Sequence, residues 1–270
     1  MFIYGHFKIG SDANRTMWLM VTDCVPADQG FITCAVDEEG VVTELYIPDE
    51  TALLVIDPYN DFMSEGGKLY DYLKVVAISV GFQRNMRELM RVVRAVGVKV
   101  FIVPHHRAHG PDLATWRHVN ASQRKADEMQ LAAIGTWGGD WHPEFGPAAG
   151  DVIAQEHWGQ SGFANTDLDA LLKQHYMSKV IVVGMAAHTC VESTARFAME
   201  LGYHVTLVKD ATSAYDDDSM RVAHEVTGPT FAHSIVTTSE LISKLQERPS
   251  RTAAAVDSSQ RRVSGALEEN

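Results

Sequence analysis

A single cysteine, Cys190, lies where a predicted strand gives way to a predicted helix. The preceding VIVVG is a short apolar run, typical of a strand buried on both faces of a parallel sheet. The following VESTARFAMEL carries apolar residues at helical spacing. Ligands of open α/β sheets bind at such turns, and a helix amino end is expected to lower the pKa of a thiol. Cys190 is therefore a candidate nucleophile, although most lone cysteines are inert packing groups.

A carboxylate, Asp57, ends a second apolar run, ALLVID. Ligand sites of parallel sheets form at the carboxyl ends of strands, so we expect Asp57 and Cys190 to share one crevice. A carboxylate within hydrogen-bond reach of a thiol could take its proton and then hand it to a leaving amine. An isolated Asp at a strand end is explained more simply as a local cap. Its functional interpretation therefore depends on its pairing with the cysteine.

The elements that would position these residues alternate between strand and helix from Thr51 onward. This alternation predicts an α/β fold, a three-layer sandwich with a doubly wound, mainly parallel sheet of about six strands. Helices are predicted over 75–96 and 123–130, from Thr166 and Ser239, after Cys190, and around 219–226. Residues 105–150, rich in Gly, Trp and His, are predicted to form a long functional loop.

Differences in composition divide the chain into three segments. Residues 1–49 are predicted to be an amino-terminal extension, in which FITCAV and VVTELYI flank a Gly-containing turn and indicate a β-hairpin. Residues 50–247 carry the alternating pattern of the main domain. Residues 248–270 lack amphipathic spacing and are predicted to be a disordered tail. We expect the extension to cover a subunit interface of a homo-oligomer.

Charge and cysteine content narrow the class of protein. The net charge of −12 argues against nucleic acid or an anionic membrane as a partner. No apolar run approaches a membrane span, and no secretory leader is recognised. The three cysteines, Cys24, Cys34 and Cys190, form neither a metal spacing nor a disulfide framework. A cytoplasmic enzyme acting on a small molecule fits these features.

Three ordered blocks of sequence resemble the signature blocks of the isochorismatase-like cysteine hydrolases. They are VIDPYNDF (55–62), SGFANTDLD (161–169) and VVGMAAHTCVESTARFAMELGYHVTLVKDAT (182–212). The resemblance covers roughly residues 51–245. It implies a doubly wound sheet and, for most members that carry the cysteine, hydrolysis of carbon–nitrogen bonds, as in nicotinamidase and in carbamoylsarcosine, ureidoacrylate, biuret and streptothricin hydrolases.

The resemblance also implies a role for each matching residue. Cys190 would be the nucleophile and Asp57 the general base. The bond between Ala186 and Ala187 falls where such enzymes place a cis peptide. The backbone amides of Ala187 and Cys190 would form the oxyanion hole, which stabilises the tetrahedral intermediate.

One position departs from the family pattern. These hydrolases usually carry a catalytic lysine six residues before the Phe of the SGF block, where this chain has His157. An imidazole can donate a hydrogen bond to Asp57, but it titrates near neutral pH, whereas lysine stays charged. Either His157 replaces the lysine or the triad is incomplete; we expect replacement.

Aromatic residues and histidines are the candidates for substrate contact. We expect Phe62, His105, His106, Trp158 and Phe163 to bind the substrate, a small amide. The simpler interpretation of the two histidines is that they only line the crevice. The sharper alternative is a metal site like that of nicotinamidases, but PHHRAH does not reproduce their metal motif. We therefore predict no obligatory metal and no cofactor.

Two further function classes stay open. The first is a non-catalytic binding relative with an incomplete triad. The second is vinyl-ether hydrolysis of isochorismate, which is less favoured because that chemistry does not need a thiol. Neither accounts for Cys190 and Asp57 as well as the cleavage of an amide, lactam or ureido bond through a thioester.

Overall fold

The computed structural model describes residues 34–36, 42–44 and 46–246, and the chain separates into two units, Met1–Leu45 and Tyr46–Asn270. In the first unit, β1 (Cys34–Val36) pairs antiparallel with β2 (Val42–Glu44), the pairing expected of a hairpin. Most of the extension and the predicted tail lie outside the described residues.

The larger unit contains a sheet of six strands, all parallel, in the order β5-β4-β3-β6-β7-β8. These strands are β3 (Thr51–Ile56), β4 (Lys99–Val103), β5 (Val152–Ile153), β6 (Lys179–Met185), β7 (His204–Ser213) and β8 (Ser234–Val236). Chain order runs outward in both directions from the β3–β6 pair, so this pair is the topological switch point. The doubly wound sheet predicted from the sequence is confirmed.

Helices cover both faces of the sheet. They are α1 (Asn60–Met63), α2 (Tyr70–Val80), α3 (Phe82–Val96), α4 (Ala121–Glu128), α5 (Leu168–Gln174), α6 (Glu192–Glu200), α7 (Asp217–Arg221) and α8 (Thr238–Gln246). Apolar side chains of α2, α3 and α8 bury one face, and those of α5 and α6 bury the other. Strands β3 and β6 are buried along their whole lengths, which explains their unbroken apolar sequences. None of the described helices is long and apolar enough to cross a membrane.

The prediction of one helix over 75–96 is wrong, because two helices occupy that region. Gly81 separates α2 from α3 with a left-handed backbone, φ +73°. A glycine adopts this conformation without steric cost, so it ends the first helix and lets the second begin in a new direction. Apolar periodicity alone continues across the break and does not reveal it.

A second glycine, Gly184, allows the two central strands to approach closely near their carboxyl ends. Its φ is +114°, and a Cβ at this position would overlap the backbone of Ile56. Only glycine meets both conditions. The close approach sets the spacing between the residues that follow β3 and β6.

Candidate active site

Asp57 is the first residue after β3, and it is completely buried. Its backbone has a φ of +55°, which is uncommon for a residue other than glycine, and its amide donates to the carbonyl of Val103 at 3.0 Å. One carboxylate oxygen, Oδ1, lies 3.0 Å from Nε2 of His157. The other, Oδ2, is buried without a hydrogen-bond partner among the described residues.

Cys190 lies at the start of the helical segment that follows β6. The chain leaves Met185, forms one π-helical turn over Ala187–Val191, and continues directly into α6. The cysteine is a buried free thiol, 7% exposed. Its sulfur and the nearest ligand atoms of Asp57 and His157 all lie within 4.8 Å of one another. The two residues predicted from strand ends, and the third from resemblance, are therefore brought together.

The expected lowering of the thiol pKa is wrong. Burial raises the pKa of Cys190 well above its ordinary value, and the nearby carboxylate of Asp57 raises it further. Hydrogen bonds from Thr189 and from the backbone of Ala186 act in the opposite direction and do not offset this. The thiol of Cys190 is thus neutral at rest and lies next to a carboxylate.

His157 is held by the backbone of the neighbouring loop. Its amide donates to the carbonyl of Pro104 at 2.9 Å, and its own carbonyl accepts from the amide of His106 at 2.9 Å. These bonds extend the parallel pairing of the sheet beyond β4 and fix His157 opposite His105. The side chain is fully buried, with Nε2 directed at Asp57.

Both ring nitrogens of His157 face acceptors. Nδ1 donates to the carbonyl of Gly159 at 3.1 Å, and Nε2 faces the Asp57 carboxylate. Burial by itself lowers the pKa of His157, but the charge of Asp57 and these hydrogen bonds together raise it above its ordinary value. Only the doubly protonated ring donates to both partners. A ring protonated on both nitrogens would carry a positive charge at the position where the resemblance implies a lysine, and this replacement stays a prediction.

The cis peptide lies one residue earlier than predicted. It joins Met185 to Ala186, not Ala186 to Ala187. Strand β6 extends through Met185, so this bond is the junction between the strand and the π-turn. Beyond the junction, the amides of Thr189 and Val191 donate to the carbonyl of Ala186 at 3.1 and 3.2 Å. The amides of Ala187 and Cys190 are not bound to that carbonyl.

A cavity of about 380 Å³ opens onto Cys190. Of the residues predicted to bind substrate, Phe62 and His105 line it. Burial lowers the pKa of His105, so this wall of the cavity is neutral at pH 7. Sequence reasoning missed several lining residues, namely Leu69, Ala121, Ser122, Lys125, Ala126, Met129, Leu131, Gly159, Gln160, Ala186, Thr189 and Tyr215.

The missed residues differ in whether any sequence signal marked them. Tyr215 follows the end of β7 by two residues, so its place at the carboxyl edge of the sheet was available from the pattern. Lys125 lies on α4, in the middle of the long loop. No periodicity or motif indicates that α4 folds over the cavity.

A second cavity, of about 290 Å³, adjoins the first and shares six lining residues with it, namely His105, Ser122, Ala126, Leu131, Gly159 and Gln160. His106 and Trp158 line this chamber, with their rings stacked at 3.6 Å. Burial lowers the pKa of His106, but the carboxylates of Glu156 and Asp112 raise it above its ordinary value overall. Two predicted contact residues thus lie beside the chamber that holds Cys190.

Phe163 lies elsewhere. It is buried in the core on one face of the sheet, where its ring packs against Phe197 and Tyr203 at centroid distances of 6.1 and 5.9 Å. It lines neither of the two cavities. The structure therefore places it in the framework and not at the predicted contact with substrate.

Two residues of α1 hold the loop that forms the cavity walls. Asp61 is 2% exposed, and its carboxylate accepts from the amide of Lys68 at 3.0 Å and from that of Ala132 at 2.8 Å. The side-chain amide of Asn60 donates to the carbonyl of Trp137 at 2.8 Å. The NDF part of the first motif thus attaches the long loop to the end of β3.

Asp57, His157 and Cys190 are the one group of three or more metal-binding side chains that the described part of the chain brings within 4.8 Å of one another. Both nitrogens of His157 are already engaged, with Gly159 and Asp57. A metal ion needs a nitrogen lone pair and would have to displace one of these bonds. The arrangement is accounted for more simply by proton transfer, and the absence of an obligatory metal stays a prediction.

Comparison with known families matches residues 51–240 to the isochorismatase domain. Among curated proteins, the chain is similar to the ureidoacrylate amidohydrolase RutB of Agrobacterium fabrum, with 32% identity over 190 residues that cover 65% of this chain and 81% of the relative. The corresponding protein of Serratia proteamaculans is 33% identical over 181 residues, covering 62% and 71%.

Solved structures agree with this match. A cysteine hydrolase from Pseudomonas syringae pv. phaseolicola superposes with a TM-score of 0.62 at 26% identity, covering 74% of this chain and 94% of that one. N-carbamoylsarcosine amidase from Thermoplasma acidophilum gives a TM-score of 0.50 at 25% identity, covering 70% and 96%.

Proposed function

The chain belongs to the isochorismatase family and is a hydrolase of carbon–nitrogen bonds, and we propose that it cleaves a small ureido or amide compound through a thioester on Cys190. One observation carries this proposal. The Cys190 thiol lies beside Asp57, whose Oδ2 has no other partner among the described residues. An unpartnered buried carboxylate oxygen next to a neutral thiol is placed to accept its proton.

The first step forms the covalent intermediate. Asp57 takes the thiol proton as the sulfur attacks the carbonyl carbon, and the negative charge develops on the carbonyl oxygen. The amides of Ala187 and Cys190 stabilise that oxygen. The His157 imidazolium keeps Asp57 ionised before the attack, because an adjacent positive charge favours the carboxylate. Protonated Asp57 then gives its proton to the nitrogen, the C–N bond breaks and an amine or ammonia leaves.

The second step restores the enzyme. Asp57 removes a proton from a water molecule, and the resulting hydroxide attacks the thioester carbon. Collapse of the second tetrahedral intermediate breaks the C–S bond, and Asp57 returns its proton to the sulfur. The sum of both steps adds one water to one C–N bond and leaves every protein group as it began.

The substrate class follows from the relatives. The two similar curated proteins are named for ureidoacrylate, a ureido compound that bears a carboxylate. A cavity of about 380 Å³ has room for a molecule of this size. We take small ureido acids as the first substrates to test, and small amides and lactams as the second.

The alternative of a non-catalytic relative is disfavoured by His157. That alternative rests on the loss of the family's positive charge, and the raised pKa of this imidazole favours its charged form at the matching position. Hydrolysis of a vinyl ether does not need a thiol, so it would not explain the contact between Cys190 and Asp57. Homo-oligomer formation and a cytoplasmic location stay predictions.

A screen of ureido acids, amides and lactams for ammonia or amine release tests the proposed function. The wild type should hydrolyse at least one ureido acid, and Cys190→Ala should hydrolyse none. Mass spectrometry after acid quenching during turnover should find the acyl mass on the peptide that contains Cys190. Turnover by the wild type with an unmodified cysteine, and with activity kept in Cys190→Ala, would exclude the thioester.

A further inference from the structure

One lysine distinguishes the electrostatics of the catalytic cavity. Lys125 is on α4 and lines the cavity that contains Cys190. No Asp or Glu is among the described residues that line this cavity. His105, the other basic residue in the wall, is neutral because burial lowers its pKa. Lys125 is therefore the one charged side chain among the described residues that line this cavity. Asp57 lies beside Cys190, and Asp112 and Asp127 line the adjoining cavity.

Lys125 also lacks a counter-ion of its own. It forms no salt bridge with any residue within the ranges that the structure describes. A smaller groove of about 180 Å³ lies on its other side, lined by Leu69, Tyr72, Met129 and Tyr215, all of them uncharged. The other lysine next to this loop, Lys68, is engaged with the carbonyl of Gln130 at 2.6 Å and with Asp61 at 3.6 Å.

The charge of the whole molecule makes this position matter. A protein of net charge −12 repels an anionic substrate from most directions. Lys125 is exposed, but a positive group on the wall of a concave site attracts an anion locally and offsets part of this repulsion. The unpaired ammonium of Lys125 in the cavity wall can form an ion pair with the carboxylate of such a substrate.

We propose that Lys125 is a specificity-determining residue, which binds a carboxylate of the substrate while its ureido or amide carbonyl lies at Cys190. The preferred substrate is then an anionic ureido or amide acid, and a neutral compound of the same shape is a poor one. This inference rests on the proposed function. It adds that the substrate is negatively charged and that Lys125 recognises this charge.

The experiment measures discrimination between an acid and its neutral counterpart. Ureidoacrylate and its methyl ester are compared by kcat/KM, with ammonia release as the readout, and by calorimetric binding to Cys190→Ala protein. The acid should be favoured at least 10-fold in wild type. Lys125→Gln should remove most of that preference by raising KM for the acid, with little change for the ester. Lys125→Arg should retain it.

Arg124→Gln is the matched control. It removes one positive charge from the adjacent position of α4, at a residue that does not line the cavity. It should keep the preference for the acid, and added salt should weaken the preference only where Lys125 is present. Equal loss in Arg124→Gln and Lys125→Gln, or an unchanged preference in Lys125→Gln, would overturn the assignment.

Binding of propionate against propionamide separates the two proposals, because neither compound is a ureide. If propionate binds more tightly and Lys125→Gln abolishes the difference, the anion site stands even when no ureido acid is hydrolysed, and only the proposed function fails. If ureido acids are hydrolysed but neither comparison depends on Lys125, only the anion site fails.

Discussion

The ends of the central strands and the long loop between β4 and β5 contribute different things to one cavity. Asp57 and Cys190 follow the two strands at the switch point and are almost completely buried. Lys125 lies on the loop, exposed, on a helix without buried residues. The ends of the central strands, with Asp57, Cys190 and His157, are here called the frame. The frame is rigid because its neighbours are hydrogen-bonded strands and packed helices. The loop is held at a few points, such as the Asp61 carboxylate.

Under both proposals, this difference indicates that the strand ends provide the catalytic groups and that the loop provides selectivity for the substrate. In the proposed mechanism the reacting groups come from positions that the sheet fixes, so their geometry follows from the fold. The groups that meet the rest of the substrate come from a segment that can change without changing the sheet. By the same mechanism His157 belongs to the first region, although it lies beyond the strand edge, where backbone hydrogen bonds and the contacts of its ring with Gly159 and Asp57 hold it.

Replacing the nucleophile should have the largest effect. Cys190→Ala removes the atom that forms the covalent bond, so kcat should fall by about 10³-fold or more. Cys190→Ser should lose most activity as well, because its hydroxyl is far less acidic. Circular dichroism and the melting temperature should show that both variants stay folded. A residual rate above a tenth of wild type would separate this cysteine from the chemistry.

Replacing His157 should have the next largest effect, since it removes a charge from the frame. His157→Ala should lower kcat/KM by about 10²-fold, the usual scale for a lost electrostatic or acid–base partner. In wild type the pKa of His157 is raised, so the active cation persists above the ordinary range of histidine, and the rate should fall as pH rises through that raised value.

The His157→Lys variant sharpens the same prediction. Lysine keeps its charge to higher pH, so the alkaline limb of the pH–rate profile should move upward while activity is retained. Profiles of the three proteins on one substrate make the comparison. Unchanged profiles, with near-full activity in His157→Ala, would leave only Asp57 and Cys190 as the catalytic pair.

Weakening the attachment of the long loop should lower activity less than replacing His157. Asp61→Asn leaves one of the two amides, from Lys68 or Ala132, without its acceptor, a loss of about 1–3 kcal/mol. We expect a lower melting temperature, a roughly 10-fold fall in kcat/KM through misplacement of the cavity wall, and faster hydrogen exchange near Ala132. Asp71→Asn is the control, because Asp71 is exposed and pairs only with Lys74 among the described residues.

The smallest effect is expected beside the frame, at Glu156. Burial alone raises the pKa of Glu156, but hydrogen bonds from His106 and Arg107 lower it to about 2. A carboxyl with a lowered pKa stabilises the fold above its ordinary pKa, and the contribution disappears as pH falls toward about 2. With 27% of the side chain exposed, we expect on the order of 1 kcal/mol.

Chemical unfolding of wild type and Glu156→Gln between pH 7 and pH 2 measures this contribution. The two free energies of unfolding should differ at pH 7 and converge in acid. A difference that stays constant with pH would mean that the substitution acts through packing and not through charge.

The frame was largely predictable from the sequence. Strands buried on both faces are continuous apolar runs, so β3 and β6 were visible, and with them the places of Asp57 and Cys190. His157 required the resemblance, because nothing in QEHWGQ shows that this segment extends the sheet. The break at Gly81 was not predicted, because apolar spacing is the same on both sides of it.

Contacts between residues far apart in the sequence explain the remaining differences between the predictions and the structure. The thiol pKa was predicted from a local feature, the helix start, whereas burial and a carboxylate 133 positions away along the chain determine it. Phe163 was assigned to the substrate by its motif, but it packs in the core. Lys125 was not identified, since only tertiary folding brings α4 over the cavity.

The neutral state of Cys190 also determines which small molecules can label it. Alkylating reagents and peroxide react with thiolates, and this thiol resists ionisation until a substrate carbonyl and Asp57 act on it together. We therefore expect slow labelling by iodoacetamide even in a fully active enzyme, and slow oxidation under stress. Selective covalent probes should carry a polarised carbonyl bonded to a leaving nitrogen. Attack on such a carbonyl is coupled to transfer of the thiol proton to Asp57, whereas alkylating reagents need a thiolate that is already formed.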